Sequence, residues 1–273
     1  MWSVRGHTLR GIQTGTPGGD PWIGLHGWMD NAASLLGLAQ ALPNHAWTLL
    51  DHAGHGLSDH RRTSYHYVDY AADLIAVLEH DNVQNCTLVG HSMGAGVALM
   101  AAAAVPERVR RVVLLEGLGP MTTEPDEAVA TLRKSALEAP PEDGRAYATF
   151  HEALERRGRT LPNVAPDALV ALVERGIVET EDGWRFRHDP WLRTTSTLRL
   201  TNAHVEAFLT RVSAATLVVA ADEGLRYGDE IEAQRLSWLR HPPLVRLPGG
   251  HHLHMEDPHA VAQAIATWID TTA

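Results

Sequence analysis

The sequence predicts an α/β fold, a mainly parallel sheet flanked by helices and interrupted by one long helical insertion. Three observations carry this reading. Short β-type runs alternate with helix-like apolar spacing at both ends of the chain, the alternation stops between about 120 and 212, and it resumes at Thr216. The 273 residues suit one core with an elaboration, because single cores seldom grow past roughly 250 to 300 residues. With 44% hydrophobic and 21% charged residues, there is apolar side chain enough for a packed interior and no compositional case for disorder.

In chain order, 22–25, 47–50, 87–89, 109–115, 217–220 and 244–247 read as strands. Between them, 34–42, 67–79, 95–104, 229–239 and 259–268 carry apolar residues at helical spacing. The stretch 120–212 has charged, mostly helical segments, prolines at 125, 140, 141, 162, 166 and 190, and no convincing buried strand. The core is therefore expected at 1–119 and 213–273, with 120–212 as a helical cap above the C-terminal edge of the sheet, where open α/β folds bind ligands.

The formal charge of −10 argues against a nucleic-acid partner, since an acidic surface repels a polyanion. The first ten residues lack the apolar core of a secretory signal, and no run approaches the roughly 18 apolar residues of a membrane span. The expectation is a cytoplasmic protein without membrane insertion. Cys86, the one cysteine, precedes an apolar strand pattern and reads as a small buried side chain.

The strongest local signal is Gly90-His91-Ser92-Met93-Gly94, with a strand pattern before it and a small-residue helix after. A sharp strand-to-helix turn strains the serine backbone and needs glycines where neighbouring segments nearly touch. It also sets Ser92 at a helix N-terminus, whose unpaired N–H groups stabilise developing negative charge. A serine hydroxyl needs a base to take its proton, and histidine titrates in the right range. Four histidines near the C-terminus compete, 251, 252, 254 and 259, and periodicity does not choose among them. A metal reading of His252-x-His254-x-x-Asp257 has adequate ligand types but no further ligand set, so neither metal nor cofactor is expected.

From these residues outward the chain resembles the α/β-hydrolase family over nearly its whole length outside the insertion. The matching segments are Gly24-Leu25-His26-Gly27-Trp28-Met29-Asp30, similar to the family's oxyanion loop, 51–58, similar to the turn after the next strand, and 249–258, similar to its catalytic-histidine loop. The resemblance implies an α/β-hydrolase fold with a cap inserted after the sixth core strand. It selects His251, which directly follows a glycine and precedes Glu256 and Pro258, and leaves His252 and His254 as packing or pocket residues. It also implies an oxyanion hole from the backbone N–H groups of Trp28 and Met93, the Trp28 ring reading equally as a core aromatic. Asp51, His55 and Ser58 read as braces beneath the site, and His26, Asp30 and His91 as supports behind it.

The third member of a triad is a carboxylate that orients the imidazole. Here the chain departs from the family pattern, because Gly224 stands where the acid usually follows the strand ending near Ala220. In some relatives, notably haloalkane dehalogenases, the acid ends the preceding core strand instead. Glu116 occupies that place and is the first choice, with Asp222 the alternative and Glu223 behind it. The serine excludes the alkyl-ester chemistry of aspartate-nucleophile relatives. Acyl transfer to a small-molecule substrate remains: hydrolysis of an uncharged acyl compound, first a carboxylic ester, with C–C cleavage of a vinylogous diketone as the enzymatic rival. A non-catalytic receptor on the same scaffold is the reading from another class.

Overall fold

The computed structural model describes residues 1–141 and 144–272. A short antiparallel hairpin opens the chain, β1 (Trp2–Val4) and β2 (His7–Leu9), turning through Arg5 and Gly6, both with positive φ. The main sheet has seven strands: β3 (Gly11–Gly15), β4 (Pro21–Leu25), β5 (Ala46–Leu50), β6 (Cys86–His91), β7 (Val109–Leu115), β10 (Ala215–Ala221) and β11 (Leu244–Leu247). Their spatial order is β11-β10-β7-β6-β4-β5-β3, parallel throughout except for β3, which runs antiparallel to β5.

Helices cover both faces, and the strands show why. Leu88, Val112, Leu114 and Val218 face a core shared with α2 (Tyr67–His80) and α3 (Met93–Ala104). Their neighbours Val89, Val113, Leu115, Leu217 and Val219 face another, shared with α1 (Leu36–Ala41) and α10 (Pro258–Thr272). Successive strand side chains point to opposite faces, so a strand covered on both sides reads as an unbroken apolar run. The helix α8 (Asp229–Trp238) follows β10, and the single turn α9 (Leu253–Glu256) lies between β11 and α10. No helix among the described residues is long and apolar enough to cross a membrane.

Between β7 and β10 the chain forms α4 (Ala128–Leu137), α5 (Phe150–Gly158), α6 (Pro166–Gly176), α7 (Asn202–Leu209) and an antiparallel hairpin, β8 (Ile177–Thr180) with β9 (Gly183–Phe186). The stretch 120–212 carries this hairpin besides its helices, and it escapes a reading based on buried strands because only Ile177 of its eight residues is buried, the rest being half-buried or exposed. The insertion also follows the fifth strand of the sheet in chain order, not the sixth, because residues 2–9 pair with each other outside the sheet.

The insertion has a small core of its own around Tyr147, Ala153, Val173 and Ile177. Two of its arginines reach buried carboxylates of the main fold. Arg175 of α6 grips Asp51 with Nε at 3.0 Å from both carboxylate oxygens and Nη2 at 2.7 Å from Oδ2, and Arg157 of α5 pairs with Asp30. Asp51 is fully buried and accepts the backbone N–H groups of Ala32 and Leu57 as well.

Removing one partner of such a pair leaves an uncompensated buried charge. Arg175→Met is therefore expected to cost about 3 kcal/mol of unfolding free energy. Adding Asp51→Asn to it should recover part of that loss. Urea denaturation of the two variants checks this, and an Arg175→Met protein as stable as wild type would refute the seam's contribution.

Candidate active site

Ser92 sits between β6 and α3 with φ +51° and ψ −109°, a strained backbone region for a residue with a side chain. The surroundings hold it there. A Cβ on Gly90 would lie 2.3 Å from the Gly94 carbonyl oxygen, and one on Gly94 would lie 2.1 Å from the carbonyl oxygen of Leu25. No side chain fits at either position, so the glycines let the start of α3 press against the end of β4. The Ser92 N–H donates to the Leu115 carbonyl at 2.9 Å, fastening the turn to β7.

His251, in the loop after β11, lies with Nε2 3.0 Å from Ser92 Oγ and Nδ1 3.1 Å from Glu116 Oε2. A carboxylate only accepts, so Nδ1 carries the proton and Nε2 is left to accept from the serine hydroxyl. Glu116 follows β7, is buried, and has a positive φ of 53°. Its Oε1 accepts the Ala221 N–H at 2.6 Å and its Oε2 the Leu225 N–H at 2.5 Å, so three donors converge on one carboxylate. Asp222 and Glu223 are exposed, and the Asp222 backbone is tied to Leu247. Of the three carboxylates weighed, the structure brings Glu116 to His251, and neither Asp222 nor Glu223.

Gly224 explains the exchange. A Cβ on that residue would stand 2.0 Å from Glu116 Oε2, so the glycine at the usual acid position is the space the Glu116 carboxylate fills.

Met93 is the first residue of α3, where a backbone N–H has no acceptor within its own helix. Trp28 follows β4 and is 44% exposed on the wall of the Ser92 cavity, which corrects the reading of it as a core aromatic. The loop that carries it is braced by buried imidazoles. His26 Nε2 accepts the His52 N–H at 3.0 Å, leaving Nδ1 to donate to the Gly27 carbonyl at 2.7 Å, and His55 meets the Trp28 ring edge-on at 5.7 Å. Ser58 Oγ donates to the Asp51 carbonyl at 2.7 Å. Cys86 is buried, and burial pushes its thiol up to about 11.

Behind His251, His252 Nε2 lies 3.2 Å from Asp30 Oδ2, while His254 is fully buried with neither ring nitrogen hydrogen-bonded. Burial pushes the His254 imidazole down to about 3. His259 and Asp257 are exposed, and Asp257 accepts the Ala260 N–H, so His252, His254 and Asp257 do not form a ligand set. Burial alone would raise the Asp30 carboxyl, but the hydrogen bond and charge of His252, with Arg157 and His91 beyond, hold it below the usual carboxylate range.

The cavity over Ser92 has a volume of about 410 Å³. The main fold contributes Trp28, Tyr67, Val68 and Met93, and the insertion contributes Met121, Leu198, Arg199 and Leu200. Sequence reasoning named none of the insertion residues, which carry no motif. A separate hollow of about 260 Å³, formed by the insertion with His60 and ringed by Arg145, Arg185, Arg187 and Arg193, includes none of Ser92, His251 and Glu116.

A family model described as alpha/beta hydrolase fold matches residues 23–157. A serine hydrolase-like protein from Danio rerio is 31% identical, aligned over 96% of this chain and 85% of its own. The chain belongs to the α/β-hydrolase family. Similar to this α/β hydrolase at 37% identity is a crystal structure of a hypothetical protein from Pseudomonas aeruginosa PAO1, with a TM-score of 0.85, covering 97% of this chain and 95% of that one. A 2-(acetamidomethylene)succinate hydrolase from Mesorhizobium japonicum is 29% identical over 90% of this chain and 86% of its own.

Two predictions follow from this geometry. Glu116→Gln should lower kcat/KM for any substrate of the site by about 10³ to 10⁴, the scale of losing an orienting carboxylate, while Asp222→Asn changes it less than about twofold. Steady-state kinetics with circular dichroism on both variants decides this, and a crippled Asp222→Asn beside an active Glu116→Gln would reverse the assignment. The second concerns acid. Burial holds His52 and His55 well below the ordinary 6.5, so the folded protein keeps them neutral while the unfolded chain protonates them near that value. Below it the unfolded state binds more protons, and stability falls with pH by about 1.4 kcal/mol per unit for each group. From pH 7.5 to 5.5 these two cost up to about 2.7 kcal/mol, and His26, His91 and His254 act in the same direction. Urea unfolding at the two pH values measures it; equal stabilities would mean that the folded protein accepts these protons.

Proposed function

We propose that this α/β hydrolase cleaves an uncharged acyl substrate, a carboxylic ester, through an acyl-enzyme on Ser92. The observation that carries the reading is the series Ser92 Oγ, His251 Nε2, His251 Nδ1, Glu116 Oε2, joined by contacts of 3.0 and 3.1 Å. A solvated serine in a tight turn has no need of an imidazole on its hydroxyl, nor that imidazole of a buried carboxylate behind it.

In this reading the ester carbonyl enters the cavity beside Ser92, its acyl group on the apolar wall of Val68, Met121, Leu198 and Leu200. Ser92 Oγ attacks the carbonyl carbon as His251 Nε2 takes the hydroxyl proton. The oxygen that becomes negative is met by the backbone N–H groups of Met93 and Trp28, which cost no reorganisation when the charge appears. Glu116 accepts the Nδ1–H and stabilises the imidazolium. The intermediate collapses, His251 gives the proton to the leaving alcohol, and a water activated by the same imidazole releases the acid and restores Ser92. The stretch 120–212 serves as a cap whose inner residues set the length of acyl group accepted. The names of the Danio rerio and Mesorhizobium japonicum relatives, a serine hydrolase-like protein and a hydrolase, support hydrolysis as the reaction class.

The test combines a fluorophosphonate label, which reacts only with an activated serine, with p-nitrophenyl esters of increasing chain length and a vinylogous diketone. Wild type should be labelled at Ser92 and hydrolyse short and medium esters. Ser92→Ala should lose the label and about 10⁶ in kcat, the scale of losing such a nucleophile, while keeping its fold, since one hydroxyl and no core volume is removed. An unlabelled wild type, or Ser92→Ala with ordinary turnover, would refute the nucleophile. Turnover of the diketone alone would reassign the bond and keep the residue.

A further inference from the structure

Behind the proposed triad lies a cluster that acyl transfer does not use. His91 is buried, and its Nε2 is 2.8 Å from the backbone carbonyl oxygen of His251. A carbonyl only accepts, so Nε2 holds the proton and Nδ1 presents a lone pair. That lone pair has no hydrogen-bond partner, and it faces the fully buried Asp30 carboxylate, 3.8 Å from Oδ2. The same oxygen lies 3.2 Å from Nε2 of His252, whose side chain is 19% exposed. Two electron-pair donors thus confront each other beside a second imidazole that opens to solvent.

We propose that Asp30 Oδ2, His91 Nδ1 and His252 Nε2 form a binding site for a divalent transition cation of the zinc type, with water as the fourth ligand. The three ligand atoms lie within 4.8 Å of one another. Zinc takes nitrogen and carboxylate oxygen at about 2.0 to 2.2 Å in a tetrahedron, which sets ligand atoms roughly 3.4 Å apart. Closing from the present spacing to that one asks for side-chain movements of about 1 Å or less. Two imidazoles and one carboxylate select zinc and its neighbours over magnesium, which prefers an all-oxygen octahedron.

The surroundings are built for such a site. Gly27 lies against it, and a Cβ there would come 2.7 Å from His91 Nδ1 and 3.4 Å from Asp30 Oδ2, so any other residue would intrude on the space between them. The His251 carbonyl fixes the His91 tautomer with its free nitrogen toward Asp30, as partners behind a metal-binding histidine do. Arg157 pairs with the other carboxylate oxygen, Oδ1, leaving Oδ2 to the cation. Its charge also opposes a second cation nearby, which predicts modest affinity and a direction of change when it is removed. On binding, His252 gives up the Nε2 proton to solvent or carries it on Nδ1 instead, so no redox step is involved.

The test is zinc binding to chelator-stripped protein, read by competition with a chromophoric chelator and independent of any activity. Wild type should bind one zinc per chain. His252→Ala should weaken it at least tenfold, Arg157→Gln should tighten it severalfold, and His251→Ala, which keeps the backbone carbonyl, should leave it within about twofold. Millimolar magnesium should not compete. X-ray absorption of the zinc-loaded wild type should count two imidazoles and oxygen ligands, a measurement that needs no variant to fold. Absence of binding tighter than about 100 μM, retention of full affinity in His252→Ala, or abolition by His251→Ala would overturn the site; the last would place zinc on the proposed general base.

Discussion

The rest of the structure depends on the close approach of α3 to the end of β4, where a Cβ on Gly94 would stand 2.1 Å from a carbonyl oxygen. That contact sets the helix N-terminus at the sheet edge, forces Ser92 into positive φ, and aims its hydroxyl at the histidine loop. A residue in so unfavourable a conformation persists only when its surroundings over-determine it. They do so here through parallel pairing of β6 with both β4 and β7 and through the bond from the Ser92 N–H to Leu115.

A second theme is the use of buried polar groups where apolar packing would be less costly. Five imidazoles, His26, His52, His55, His91 and His254, lie buried beneath the site, and burial lowers the proton affinity of each. Two buried aspartates, Asp30 and Asp51, each take an arginine from the insertion. Pairs of this sort add little net stability compared with apolar substitutes, but they accept one partner in one place. The insertion is held against the sheet edge by two such contacts from α5 and α6, whereas α4 buries none of its residues.

Much of this was legible in the sequence, for reasons that differ by residue. Ser92 and the buried strands announce themselves locally, by a glycine-flanked turn and by apolar runs. The choice of His251 among four histidines needed the family resemblance, because the spacing that matters is between side chains 159 residues apart in sequence. β1 and β2 passed unnoticed because three residues hold too little periodicity, β3 because none of its five residues is buried, and the hairpin at 177–186 because its exposed, charged positions imitate a loop. The ties of Asp30 to Arg157 and of Asp51 to Arg175 leave no local trace: each joins residues more than 120 positions apart, and an arginine on a helix reads as a solvated face until the fold brings a carboxylate to it.

The fit of Glu116 into the space beside Gly224 constrains how this lineage could have changed. A side chain at 224 would push the Glu116 carboxylate out of its present place, so a chain carrying its carboxylate after β10 does not pass to this arrangement by one substitution. Gaining the glutamate first produces a steric collision, and gaining the glycine first leaves the histidine without support. A scan that demands an acid at 224 would therefore pass over the carboxylate that this chain sets against His251 from the end of a different strand.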